Sequence, residues 1–140
     1  MSSFTVPYGV TSTALFIRVK AEANGEAYEG WGLIDTGSAD SGITETAVNK
    51  LKITPINDKE YHTANGKIVA PRYNVNLTLQ NSVTFTNIIA GLFDDNGDGF
   101  DFLIGMDIIS QGNLAVTNYN GTMRISFEYP AHGTIDFTNM

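Results

Sequence analysis

Short runs of alternating apolar and polar residues, broken by turn-forming side chains, extend through most of this chain. From Leu15 to Glu22 the apolar residues occupy every second position, and charged residues mostly fill the positions between them. Because successive side chains of a strand point to opposite faces, this pattern predicts a half-buried strand. The chain as a whole is therefore expected to be an antiparallel β protein.

The same alternation predicts a series of strands joined by tight turns. The expected strands span residues 15–22, 27–34, 73–80, 83–92, 113–117 and 122–127. Asn24-Gly25 and the segment from Asn118 to Gly121 contain residues that accept a positive φ, as hairpin turns require. Helix is scarce: one is expected from Glu45 to Leu51 with Thr44 as its N-cap, and a short turn from Met106 to Gln111.

Composition limits the possible functions. The 140 residues have no internal repeat or linker, so residues 1–140 are expected to form a single domain, and the absence of cysteine excludes disulfides and thiol chemistry. With 15 acidic against 8 basic residues, the formal net charge of -7 disfavours nucleic acid as a partner. Without a membrane-spanning run or a secretory signal in the sequence, a cytoplasmic protein with no membrane partner is expected.

A carboxylate follows an apolar strand in the segment Gly32-Leu33-Ile34-Asp35-Thr36-Gly37-Ser38. An Asp in this position is costly to bury unless neighbouring donors satisfy its oxygens, and Thr36, Gly37 and Ser38 supply such donors. An ordinary Asx turn after a strand also fits this tripeptide. Asp-Thr-Gly by itself therefore does not decide between a turn and a reactive carboxylate.

A second segment, Phe102-Leu103-Ile104-Gly105, again leads an apolar strand into a glycine, and a short helical stretch follows it. Together the two segments resemble the retropepsin family of aspartic proteases, in which an Asp-Thr-Gly loop lies beside a crossing apolar-apolar-Gly segment. The resemblance extends from Leu15 to Glu128. It implies an all-β, closed-barrel-like acid protease single lobe with one or two short helices, in which Ile104 and Gly105 belong to the crossing segment.

The resemblance also implies a homodimer, because the family's chemistry needs two such motifs and this chain has one. Asp35 of two identical subunits would form a proton-sharing pair that activates water to cleave a polypeptide, without a metal or cofactor. Thr36 would hold the two loops together and Gly37 would let the substrate backbone approach. The Ser38 hydroxyl is expected to hydrogen-bond the carboxylate pair.

The family places a mobile β-hairpin flap over the active site, and Thr63, Ala64, Asn65 and Gly66 have the turn chemistry of its tip. Segments 2–6 and 133–137 are expected to build the dimer interface. A non-catalytic dimeric peptide-binding module with the same fold is the alternative interpretation.

Three other signals receive a structural interpretation. The acidic segment from Asp94 to Asp101 is similar to a calcium loop, but Gly105 stands where such a loop has its bidentate Glu, so a solvated turn is expected. His62 and His132 have no partners at metal-ligand spacing. Trp31 is expected to pack in the core or to support a dimer.

Overall fold

The computed structural model describes residues 2–9 and 12–139. Within them, ten strands and two short α-helices follow one another along the chain. The strands are β1 Ser2–Tyr8, β2 Phe16–Ala23, β3 Glu26–Ile34, β4 Gly42–Ile43, β5 Asn57–Thr63, β6 Gly66–Thr78, β7 Thr84–Leu92, β8 Phe102–Ile104, β9 Asn113–Tyr119 and β10 Thr122–Tyr129. The helices are α1 Glu45–Leu51 and α2 Met106–Ile109, and a 3-10 turn spans Phe137–Asn139. The all-β class with short helices is confirmed.

Two sheets make up the fold. The larger has the strand order β2-β3-β8-β4-β7-β6-β5, and the smaller has the order β1-β10-β9. Strand β2 also pairs with β6, through Lys20 to Glu22. This extra pairing closes six strands of the larger sheet into a ring, which confirms the closed-barrel-like architecture.

The interior of the barrel is filled by the apolar positions that the alternation predicted. Ile17, Val19 and Ala21 of β2 are all 0% exposed, whereas Lys20 and Glu22 on either side of Ala21 are exposed. Burial of an aliphatic side chain of this kind contributes roughly 1.5–3 kcal/mol to folding. The predicted inward face of β2 is confirmed.

Local sequence signals also position the turns and the first helix. Asn24-Gly25 and Asn120-Gly121 have positive φ at both residues, as in the expected hairpin turns. Helix α1 has the predicted bounds, because the Thr44 side chain accepts a hydrogen bond from the Ala47 backbone at its start and Lys52 ends it in the left-handed conformation.

The position of Trp31 contradicts the first of its two expected roles, packing in the core, and leaves the second, support of a dimer, as a prediction. Its side chain is 46% exposed, and the Arg18 guanidinium lies 4.8 Å from the ring centre. On β3 the residues that face inward are its neighbours, the buried Gly30 and Gly32, so alternation puts Trp31 on the outer face. The core interpretation is wrong for this residue.

The two terminal segments expected at a dimer interface lie near each other. Residues 2–6 belong to β1, which pairs with β10 of the same chain. Asn113 of β9 donates a hydrogen bond to the Gly133 carbonyl at 2.8 Å, which brings the start of segment 133–137 to the smaller sheet. Phe137 is 73% exposed. The role of these segments in a dimer stays a prediction.

The acidic segment between β7 and β8 forms a turn that is closed by hydrogen bonds from its backbone N–H groups to two of its own carboxylates. Asp94 accepts a hydrogen bond from the Asn96 N–H at 2.8 Å, and Asp95 accepts from Gly97 and Gly99. In residues 2–9 and 12–139, no group of three or more His, Cys, Asp or Glu side chains is placed to hold a metal. The same residues include no helix with the length and apolar character needed to cross a membrane.

Candidate active site

Two neighbouring parallel strands bring the predicted loop and its crossing segment together. Strand β3 pairs in parallel with β8, and their last residues, Ile34 and Ile104, lie opposite each other. Asp35 and Gly105 therefore leave the sheet at the same edge. The Asp35 N–H donates to the Ile104 carbonyl at 2.9 Å, so the two segments are hydrogen-bonded from their first residues.

The loop after β3 folds around the Asp35 carboxylate. The Gly37 N–H donates to Asp35 Oδ1 at 3.0 Å, and the Ser38 N–H donates to the Asp35 carbonyl at 3.2 Å. Asp35 is partly buried, whereas Thr36 and Gly37 are exposed. Within the described part of the chain, Oδ2 of Asp35 accepts no hydrogen bond. The Asx turn is therefore present, and it leaves one carboxylate oxygen available to a ligand.

Gly105 is where the crossing segment comes closest to the Asp35 loop. A Cβ built on Gly105 would lie 2.7 Å from the Asp40 carbonyl oxygen and 2.8 Å from the Ser38 oxygen, both backbone atoms. The next N–H group, that of Met106, donates to the Ser38 carbonyl at 2.8 Å. Only a residue without a side chain fits between these backbones.

A pair formed by the buried Ser41 and the partly buried Asp107, which the sequence reasoning missed, joins the same two segments. Ser41 is 1% exposed, and its hydroxyl donates to Asp107 Oδ1 at 2.7 Å while its N–H donates to Oδ2 at 2.9 Å. The Gly105 N–H donates to the Ser41 hydroxyl at 3.1 Å. Ser41 thus bonds both the Asp107 carboxylate and the Gly105 N–H at the crossing. No periodic pattern marks this serine in the sequence.

The Ser38 hydroxyl does not contact the carboxylate as expected. It donates to the Asp40 carbonyl at 2.7 Å. This contact closes the turn from Ser38 to Asp40, so within one chain the hydroxyl does not reach Asp35, and its hydrogen bond to a carboxylate pair stays a prediction.

The hairpin expected to form a flap consists of β5 and β6. Thr63 pairs with Gly66 around Ala64 and Asn65, and the Thr63 hydroxyl donates to the Gly66 carbonyl at 2.8 Å. Gly66 has a φ of 111°. All four tip residues are exposed. The hairpin is thus present where it was expected, and its function as a flap stays a prediction.

Comparison with known protein families shows the family of this chain. The sequence model of the family described as Aspartyl protease matches residues 19–108, which include the Asp35 loop, the hairpin and Gly105. The chain belongs to the aspartyl protease family. No curated protein matches the sequence.

A solved structure shows that this aspartyl protease shares its fold with a retropepsin-like lobe. The crystal structure of a retropepsin-like aspartic protease from Rickettsia conorii is similar, with a TM-score of 0.56 and 16% identity, over 89% of this chain and 92% of that one. The solution structure of a simian foamy virus (mac) protease matches with a TM-score of 0.44 and 16% identity, over 66% of this chain and 91% of that one. The Rickettsia structure supports the single-lobe fold.

A second carboxylate in this aspartyl protease joins the Asp35 loop to the hairpin. Asp40 Oδ2 accepts hydrogen bonds from Lys59 Nζ at 2.8 Å and from the Tyr61 hydroxyl at 2.9 Å, and Arg72 Nη1 lies 3.9 Å away. These four residues are called the Asp40 cluster below. Sequence reasoning missed the cluster, because its members lie in separate segments.

The Asp40 cluster shifts the titration of its own members. Burial acts to raise the pKa of Asp40, but the hydrogen bonds from Lys59 and Tyr61 and the charges of Lys59 and Arg72 outweigh it, so the pKa is lowered. Burial and the hydrogen bond to Asp40 raise the pKa of Tyr61 to about 12. At neutral pH the carboxylate is therefore ionised and the phenol keeps the proton that it donates.

A cavity of about 200 Å³ lies between the Asp35 loop and the hairpin. Ser38 and Asp40 line one side, and Tyr61, His62 and Ile68 line the other. Further apolar lining comes from Leu92, Phe93 and Leu103. The cavity is thus placed beside the candidate catalytic loop and is walled mainly by apolar side chains.

Proposed function

We propose that this protein is a homodimeric aspartic endopeptidase, with residues 1–140 as one protease domain, that cleaves polypeptides with water activated between Asp35 of two identical subunits. The observation that carries the proposal is the state of Asp35: the Gly37 N–H holds one oxygen and the other accepts no bond in the described chain. Membership of the aspartyl protease family supports the same reaction class.

Two carboxyl groups are needed because one must act as a base while the other acts as an acid. Two carboxyl groups close together cannot both ionise easily, so they share one proton and titrate as a pair. The ionised Asp35 would remove a proton from water as the water oxygen attacks the scissile carbonyl carbon. The protonated Asp35 would donate to the carbonyl oxygen to give a diol. The C–N bond would then break as the newly ionised Asp35 takes a diol proton and the newly protonated one donates its proton to the leaving nitrogen.

The exposed groups beside Asp35 support a partner subunit at this position. Thr36 and Gly37 are exposed next to a partly buried carboxylate. In the proposed dimer Thr36 would contact the partner loop, Gly37 would admit the substrate backbone, and Ser38 would keep the loop closed through Asp40. The tip residues 63–66 would cover an extended peptide bound by backbone hydrogen bonds.

The test combines cleavage and molecular mass on one sample. The wild-type protein is incubated with a mixed peptide library, with and without a pepstatin-like inhibitor, and its mass is measured by light scattering. We expect inhibitor-sensitive cleavage and a mass twice that of one chain. The Asp35→Asn variant should keep this mass and lose activity by about 10³-fold or more, because the general base is removed.

Asp98→Asn is the matched control, since Asp98 is an exposed acid in the turn between β7 and β8. It should cleave as the wild type does. Cleavage that survives Asp35→Asn contradicts the proposal. Peptide binding by a dimer without cleavage would instead identify a non-catalytic peptide-binding module.

A further inference from the structure

The Asp40 cluster connects the two structural units that face each other across the 200 Å³ cavity. Asp40 lies at the end of the Asp35 loop, whereas Lys59 and Tyr61 belong to β5 and Arg72 to β6. We propose that Asp40 is a positioning residue that fixes the β5–β6 hairpin relative to the Asp35 loop and leaves the cavity selective for an apolar substrate side chain. This inference rests on the proposed protease function.

The geometry of the hairpin directs all three partners toward the same carboxylate. Lys59 and Tyr61 are alternate residues of β5, so their side chains share one face. Arg72 pairs with Asn57, another residue of that face, and its Nε donates to the Asn57 side chain at 2.8 Å. Both strands of the hairpin therefore reach Asp40 from one face.

Partial burial makes this contact stronger than an ordinary surface ion pair. The side chains of Asp40 and Arg72 are only 21% and 23% exposed, against 42% for Lys59. The Tyr61 hydrogen bond and the Arg72 charge act on a carboxylate with limited access to water and are less screened than exposed pairs, whereas the charge of the more exposed Lys59 is partly screened. The cluster therefore restrains the base of the hairpin and leaves its exposed tip free to move.

The charge of Asp40 is already compensated inside the protein. Two cations and a phenol contact or face the carboxylate. A basic substrate side chain would have to displace them, whereas Ile68 and Leu103 offer apolar contacts in the same cavity. The geometry thus favours an apolar side chain there over Lys or Arg.

Gly91 provides the space that Tyr61 needs to reach Asp40. A Cβ at Gly91 would lie 2.7 Å from the Tyr61 hydroxyl oxygen and 3.0 Å from Cζ. Gly91→Ala would therefore push the phenol away from Asp40 without changing any charge. Gly9→Ala is the matched control, because a Cβ at Gly9 would have no heavy atom within 4 Å.

Hydrogen exchange of the hairpin tests the positioning role without relying on cleavage. Amide exchange of segment 57–72 is followed by mass spectrometry in Asp40→Asn, Tyr61→Phe, Gly91→Ala and Gly9→Ala. We expect exchange to be faster by about tenfold in the first three, as for the loss of a charge-assisted hydrogen bond, and unchanged in the control. Exchange of α1 should be the same in all. Wild-type exchange of segment 57–72 in both Asp40→Asn and Tyr61→Phe would overturn the proposal, whether or not the protein cleaves peptides.

Cleavage of a peptide panel tests the selectivity. The peptides differ at one position near the cut, which is Val, Leu, Lys or Arg. The wild type should favour Val and Leu, and the three cluster variants should lower kcat/KM by a similar factor for all peptides, mainly through KM. A wild-type preference for Lys or Arg that Asp40→Asn abolishes would show that Asp40 binds substrate directly and would overturn the inference. If the wild type cleaves no peptide, the proposed function fails and the exchange result alone decides on the positioning role.

Discussion

The Asp35 loop and the β5–β6 hairpin line the same cavity, but different interactions hold them. The loop is fixed by backbone hydrogen bonds, such as Asp35 to the Ile104 carbonyl and Met106 to the Ser38 carbonyl. The hairpin is tied to it by side chains that meet on the Asp40 carboxylate. Changes that disturb the backbone contacts of the loop should therefore lower the free energy of unfolding of the whole protein, whereas changes at the cluster should mainly loosen the hairpin in a folded molecule.

The largest effect is expected from Gly105→Ala in the loop region. The added Cβ would overlap the backbones of Ser38 and Asp40, which have no flexible side chain to move aside. We expect a loss of about 3 kcal/mol in the free energy of unfolding, in the upper part of the range for overpacking. Urea denaturation measures it, with Gly9→Ala as the control. A loss as small as that of the control would mean that the backbone of Ser38 and Asp40 can move to accommodate the added methyl group.

Ser41→Ala should have the next largest effect. The substitution removes the hydroxyl that donates to Asp107 and accepts from the Gly105 N–H. The buried Gly105 N–H then loses its acceptor, whereas Asp107 keeps hydrogen bonds from the backbone. The expected loss is roughly 1–3 kcal/mol of unfolding free energy. Thermal and urea unfolding measure it, beside Ser110→Ala at an exposed serine. A loss confined to hairpin exchange would contradict the division between the two regions.

The contribution of the Asp40 cluster to stability should decrease at both low and high pH. The pKa of Asp40 in the folded protein is lowered from 3.8, so its stabilising effect is complete above 3.8 and is lost as the pH falls through the lower folded value. The pKa of Tyr61 is raised from 10.0 to about 12, so its contribution is complete below 10.0 and is lost as the pH rises from there through about 12. The cluster should therefore persist at mildly acidic pH.

The melting temperatures of the wild type and Asp40→Asn measure this dependence. Their difference should stay constant from about pH 7 to about pH 5 and shrink below the unfolded pKa of Asp40. If the difference in melting temperature already shrinks between about pH 7 and about pH 5, a group other than Asp40 is titrating.

The smallest effect is expected from Lys59→Met. The Lys59 side chain is 42% exposed, so solvent screens its charge and the loss should be roughly 0.5 to 1 kcal/mol, decreasing with salt. Lys67→Met is the control on the same hairpin, because Lys67 is 66% exposed and pairs with Glu60. Urea unfolding at low and high salt compares the two. A loss of several kcal/mol for Lys59→Met would show that the hairpin is as strongly fixed as the loop.

Local chemistry made much of the fold predictable. The bounds of α1 followed from its Thr44 cap, the inward face of β2 from alternation, and the turns at Asn24 and Asn120 from residues that accept positive φ. The core alternative for Trp31 was wrong because the two inward positions beside it are glycines, and its role in supporting a dimer stays a prediction. Alternation of apolar side chains cannot reveal a buried position that is occupied by glycine.

The candidate site was predictable only where the backbone restricts residue type. Gly105 stands where two backbones cross, so the motif marked the segment in the sequence. The bonds from Ser41 to Asp107 and from Tyr61 to Asp40 join residues far apart in the chain. Such partners are decided by the closure of the barrel, and neither spacing nor composition identifies them.

Trp31 is the single tryptophan of the chain, and it lies partly exposed beneath the Arg18 guanidinium on the strand that leads to Asp35. The intrinsic fluorescence of the unmodified protein therefore has one indole source. Because that indole is already in contact with water and a cation, its emission should respond more to quenchers and to a covering protein surface than to repacking of the interior. The molecule thus contains a single optical reporter of any surface that comes to cover the outer face of β3.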